Sequence, residues 1–149
     1  MRIGVVAAAL ALVIFAAVIV VEMQQPSPQA DTVAAGKDLY MQRCASCHGE
    51  NLEGEPNWRQ RNNAGFMPAP PHDASGHTWH HSDQQLLRIV RDGLAGIAPG
   101  YQTTMPAFGA MLSDQEILSI LDYFKSAWPE REREFQASRT RAELAAPAP

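Results

Sequence analysis

Only two cysteines occur in this 149-residue chain, and they stand in one short run, Cys44-Ala45-Ser46-Cys47-His48. A fold for this chain must give that run a purpose. A structural zinc site needs four ligands, usually a second Cys or His pair at short spacing, so zinc would have to recruit distant histidines. A thioredoxin-like redox pair sits at the start of a helix that follows a strand, and no strand pattern precedes Cys44. A disulfide at this spacing is geometrically poor and leaves His48 without a role. Covalent attachment of a c-type haem uses all three residues. Two thiols three positions apart can each form a thioether with one vinyl group of a single porphyrin. His48, next in line, then offers an imidazole nitrogen to the iron. One covalent haem c, held by Cys44 and Cys47 with His48 as an axial ligand, is the expected cofactor.

The start of the chain carries the second signal. Residues 3–21 run for 19 positions without a charged or strongly polar side chain, between Arg2 and Glu22. As a helix this run spans roughly 28 Å at 1.5 Å per residue, enough to cross a bilayer core. A cleaved signal peptide has a shorter apolar core of about 7–15 residues and an Ala-x-Ala-like site. Here the nearest candidate, Pro28-Gln29-Ala30, places proline where a small residue belongs. An uncleaved anchor over residues 1–22 is the expectation, contacting lipid through residues 3–21. Arg2 then stays in the cytoplasm by the positive-inside rule. The rest faces outward, which in a bacterium is the periplasm. The net charge is −4 and the 12 basic residues form no patch, so a nucleic-acid partner is not expected.

Residues 23–30 read as a polar, Pro-containing linker. Asp31 or Thr32 can cap a helix from about Val33 to Arg43, with Gly36 and Tyr40 one turn apart on one face. Glu50 to His81 is a long irregular stretch with Pro56, Pro68, Pro70 and Pro71. Such a loop is unusual in a compact domain unless it wraps a ligand. Ser82 opens a helix, with Gln85 completing a capping box and Gly93 as its stop. Ala95 to Gly109 is loop again. Ser113 and Glu116 form a second capping box before Ile117, Leu118, Ile120, Leu121 and Phe124, whose period is helical. Trp128-Pro129 ends that helix. Glu130 to Leu144 alternates charges and reads as a solvated extension, with a disordered end. The expected fold is all-α.

Taken in order, helix, CxxCH, loop, helix, Met-containing loop and helix resemble the class I cytochromes c, over residues 31–128. The resemblance implies that Met105, in Thr103-Thr104-Met105-Pro106, is the sixth ligand of the haem iron. It implies that Gly36 and Tyr40 let the first helix cross the last one closely, against Tyr123. It also implies a proline carbonyl accepting the Nδ1–H of His48. Four prolines compete for that role, with Pro70-Pro71 best by context. Haem attachment outside the cytoplasm is implied too, in agreement with the anchor. Of the other methionines, Met41 reads as core, Met67 as packing, and Met111 as the runner-up ligand.

His72, Asp73, His77, His80 and His81 form a second cluster. It reads as the lining of the haem edge, with Trp79 or a histidine donating to the propionates. Copper or zinc binding is one alternative, and a histidine as sixth iron ligand is another. The functional expectation is an electron carrier, not an enzyme. It would shuttle single electrons between membrane redox complexes as a single-pass protein of the bacterial cytoplasmic membrane. Phe108, Ile97 and Leu94 would exclude water from the haem. The rival readings are a haem subunit of a larger oxidase or dehydrogenase, and an open-site haem enzyme or sensor.

Overall fold

The computed structural model describes residues 28–146. The expected anchor over residues 3–21 lies outside the described residues. The chain divides into two units after Asp31; of the first, only the opening of one helix is described, and the rest of the description concerns Thr32 onward. Every regular element among the described residues is helical: α1 (Pro28–Arg43), α2 (Ala45–His48), a 3₁₀ turn (Thr78–His80), α3 (Asp83–Ile97), α4 (Asp114–Ser126) and α5 (Glu130–Ala145). None is long and apolar enough to cross a membrane.

Helix α1 begins earlier than its capping residues suggested. Pro28 occupies the first helical position, where its missing N–H is not needed, and Asp31 falls within the first turn. The other end runs into the cysteine motif, which forms the single turn of α2. Midway, α1 meets the backbone of α4. A Cβ on Gly36 would stand 1.8 Å from the Ser119 carbonyl oxygen and 2.9 Å from the Ile120 nitrogen. Only glycine permits that approach. One turn on, the fully buried Tyr40 packs at 5.4 Å on Tyr123 and edge-on at 5.7 Å to Phe124. The core continues through Leu86, Leu87, Phe108, Leu112, Ile117, Ile120, Leu121 and Trp128. Met41, expected in the core, is 40% exposed, and Ile97, expected to shield the haem, is 39% exposed. Both lie on helices whose apolar pattern does not distinguish the flank of a buried stripe from its centre.

Helix α3 starts at Ser82, whose hydroxyl accepts from the Gln85 N–H at 3.1 Å. The reciprocal box forms at Ser113 and Glu116, each side chain bonding the other's backbone N–H (3.3 and 2.8 Å). Gly93 does interrupt α3, with φ 72° and ψ 159°, but helical turns resume to Ile97. The interruption takes the Val90 and Arg91 carbonyls out of the helical ladder. They accept instead from Phe108 N–H (3.0 Å) and Gly109 N–H (2.9 Å). The break therefore pins the end of the loop that carries Met105.

Helix α5 is the largely exposed helix that its charges suggested, but one face of it is docked rather than free in solvent. Gln136 is buried and donates to Asp83 Oδ1 at 2.8 Å and to the His81 carbonyl at 3.3 Å. Glu143 accepts from the Ser82 hydroxyl and from Arg88 at 3.0 Å. The Asp83 N–H donates to Thr140 at 3.0 Å. Phe135 meets Trp79 edge-on at 5.5 Å. The docking surface is the polar start of α3, which a reading by apolar period does not weigh.

Candidate haem site

Cys44 follows α1 directly, and its N–H still donates to the Tyr40 carbonyl at 2.8 Å, continuing the helical ladder. The N–H groups of Cys47 and His48 both return to the Cys44 carbonyl, at 3.1 and 2.9 Å. One helical turn thus sets the spacing of both sulfurs and the imidazole. Neither cysteine is in a disulfide; Cys44 is half-buried and Cys47 exposed. Burial, and then the neighbouring Cys47, push the Cys44 thiol up to about 11. Tyr40 locks the turn from beneath, donating its hydroxyl proton to the Gly49 carbonyl at 2.5 Å.

The long loop after the motif is ordered by its return to it. Gly54 N–H donates to the His48 carbonyl at 2.7 Å, and Glu55 N–H to Ala69 O at 2.8 Å. Leu52 is buried with φ 68°, a left-handed setting that costs an L-residue about 1–2 kcal/mol. Its carbonyl accepts from the N–H groups of His72 (2.7 Å) and Asp73 (3.2 Å), which holds the turn in place. Pro70 is thereby delivered to His48, whose Nδ1 lies 2.9 Å from the Pro70 carbonyl oxygen. A carbonyl can only accept, so Nδ1 carries the proton and Nε2 keeps its lone pair. Burial holds the His48 pKa below its usual value, against the opposing pull of the Pro70 bond. The ring is therefore neutral and nucleophilic at Nε2 near pH 7.

Met105 is partly buried and packs against the same core as Cys44 and Trp79, with its N–H bonded to Thr103 at 3.0 Å. Met111, the competing ligand, is half exposed.

Sequence reasoning missed the part played by His72. Its ring stacks on His48 at 4.1 Å and 21°, and on Phe124 at 4.2 Å and 17° on the other side. The signal was its place directly after Pro70-Pro71, next to the acceptor of His48. Burial drives its pKa well below the usual value, and His48 and His77 add to this.

The other histidines turn to aromatic neighbours: His77 to Trp58 at 5.3 Å and His80 to Trp79 at 3.8 Å. Among the described residues no group of three or more His, Cys, Asp and Glu could hold a metal ion. Trp79 Nε1–H is buried and has no acceptor among the described residues. That donor suits a bound carboxylate such as a haem propionate. Two thiols on one turn, a tautomer-locked imidazole, a thioether and an unpaired indole donor fit a c-type haem.

An open cleft of about 540 Å³ lies between Arg61, Gly65 and residues 98–102. None of Cys44, Cys47, His48 or Met105 lines it.

This helical framework around a CxxCH turn is that of a class I c-type cytochrome. Residues 31–124 match the family described as cytochrome c oxidase, cbb3-type, subunit III, and the chain belongs to that family. Among curated proteins it is 28% identical over 105 residues to the cbb3-type cytochrome c oxidase subunit CcoP of Azospirillum brasilense, covering 70% of this chain and 31% of that one. It is 28% identical over 105 residues to the gluconate 2-dehydrogenase cytochrome c subunit of Pantoea cypripedii, covering 67% and 21%. The subunit FixP of Azorhizobium caulinodans is 28% identical over 94 residues, covering 62% and 28%. The chain thus spans less than a third of the length of these relatives.

Proposed function

We propose that Cys44 and Cys47 hold one haem c as thioethers and that His48 Nε2 and the Met105 sulfur are its axial ligands. On this reading the protein passes single electrons to and from membrane redox complexes and transforms no substrate of its own. The 2.9 Å approach of His48 Nδ1 to the Pro70 carbonyl carries the reading, because it leaves the free lone pair on the nitrogen needed for iron. A haem bound there supplies one-electron exchange, with a potential raised by Met/His ligation. The chain's own residues do the rest. Tyr40 and the α2 turn hold the thiols in place, Pro70 fixes the imidazole tautomer, Leu86, Leu87 and Phe108 keep water out, and Trp79 offers its N–H to a carboxylate.

Residues 1–22 serve as a single-pass anchor in the bacterial cytoplasmic membrane, residues 23–30 as a linker, and residues 31–128 as a haem domain in the periplasm. Residues 129–149 follow that domain. The relatives' names, subunits of an oxidase and of a dehydrogenase, support work within a larger redox complex over free shuttling. Co-purification from detergent-solubilised membranes separates the two, since a shuttle elutes alone.

The central assignment is tested by haem-stained denaturing electrophoresis. Cys44→Ala and Cys47→Ala should each weaken the haem band, because each thiol supplies one thioether. Full-strength bands in both variants overturn it.

A further inference from the structure

A hydrogen bond to Nδ1 selects the tautomer of a ligating histidine, but the plane of the ring needs a second constraint. We infer that His72 is a positioning residue that sets the rotational plane of the His48 imidazole by lying flush against its face. This rests on the reading of His48 as an iron ligand.

The argument starts from how firmly His72 itself is held. Its N–H donates to the Leu52 carbonyl at 2.7 Å, and its own carbonyl accepts from Trp128 Nε1–H at 2.7 Å. Thr78 Oγ1 lies 3.4 Å from the Pro71 carbonyl. That geometry makes the threonine hydroxyl a donor to Pro71 and an acceptor for His72 Nδ1–H at 2.8 Å. The far face of the ring rests on Phe124 at 4.2 Å, and the edge of Tyr40 closes one side at 6.4 Å. Backbone, ring nitrogen and ring face are thus all fixed by groups of the core. His48 lies on the remaining face at 4.1 Å and 21°. Turning the His48 ring about its own axis would drive its edge into His72, which has no free space behind it. The column His48, His72, Phe124 therefore transmits the rigidity of α4 to the imidazole.

The plane of an axial imidazole governs how unpaired spin is shared among the four pyrroles of a ferric haem, so the heme methyl proton shifts report it. Two substitutions separate the ring face from the hydrogen bond. His72→Phe keeps a stacking face and loses the donor to Thr78. His72→Gln keeps an N–H for Thr78 and loses the ring. Proton NMR of the full-length ferric protein should give a wild-type methyl pattern in His72→Phe and an altered pattern in His72→Gln, with a shifted reduction potential in the latter only. A wild-type pattern in His72→Gln, or the same change in both variants, overturns the inference. Should His72→Gln not accumulate with haem, the wild type still decides. A fixed ring gives methyl shifts linear in reciprocal temperature, whereas curvature from a turning ring refutes the role. Absence of haem, or of methionine ligation, in the wild type would instead overturn the proposed function itself.

Discussion

His48 has two ring nitrogens, and the Pro70 carbonyl at 2.9 Å decides which of them is available. The proposed opposite ligand is not tied down so directly. Met105 is held through its loop, by Thr103 at 3.0 Å and by the return of Phe108 and Gly109 to α3. On the proposed ligation, a face-to-face neighbour of His48 such as His72 would lie on the same side of the iron as His48, which makes it a poor candidate for the sixth position. If Met105 fills that position, ferric protein should show the weak near-infrared sulfur-to-iron charge-transfer band. Met105→Ala should abolish the band without releasing haem, and Met105→His should lower the potential by exchanging a thioether for an imidazole. Met111→Leu is the control. Loss of the band in that variant, with its survival in Met105→Ala, would identify Met111 as the ligand.

At the scale of elements, the crossing of α1 and α4 is the least forgiving contact. Gly36→Ala gains about 1 kcal/mol of helix propensity. It also places a methyl 1.8 Å from a backbone oxygen, and no side-chain rotation relieves that. Overpacking of this kind costs about 3 kcal/mol or more, so the clash wins by about 2 kcal/mol. Thermal denaturation should fall by roughly 10 °C for a domain of this size; an unchanged melting temperature would mean the helices part easily. Helix α5 has a pH-dependent hold. The Ser82 hydroxyl first, and Arg88 after it, keep the Glu143 carboxyl below its ordinary range. A depressed folded value means this contribution is complete above the ordinary glutamate pKa of about 4.3 and is lost as pH falls through the lower folded value. Protection of the α5 amides, taken relative to their intrinsic exchange rates, should therefore fall below about pH 4, and Glu143→Gln should remove that dependence. Protection that stays level in acid would show that Glu143 does not hold the helix. The two capping serines and the one-turn spacing of Gly36 and Tyr40 were legible in sequence as local signals. The crossing role of that pair came from the resemblance, and Gly93 reads as a stop where the helix in fact resumes to Ile97. The docking of α5 and the exposure of Met41 were not legible, because they depend on which polar and apolar groups meet across more than 50 positions of chain.

For the whole molecule, the proposed division at residue 31 makes the membrane segment dispensable for haem binding. Replacing residues 1–22 by a cleavable export signal should yield a soluble cytochrome with its full haem spectrum. A product that stays in membranes, or loses haem, would place the boundary elsewhere. Helix α5 lies beyond the family-matched residues 31–124, yet it closes on the start of α3. Ser82 and Glu143 are 61 positions apart, and the circuit they complete contains the whole Met105 loop. Closing a circuit of that length carries an entropy penalty that grows with the logarithm of its size, and contacts of such separation form late in folding. In time rather than space, the α5 contacts are ones the chain can make only after the whole Met105 loop has been laid down between their two ends.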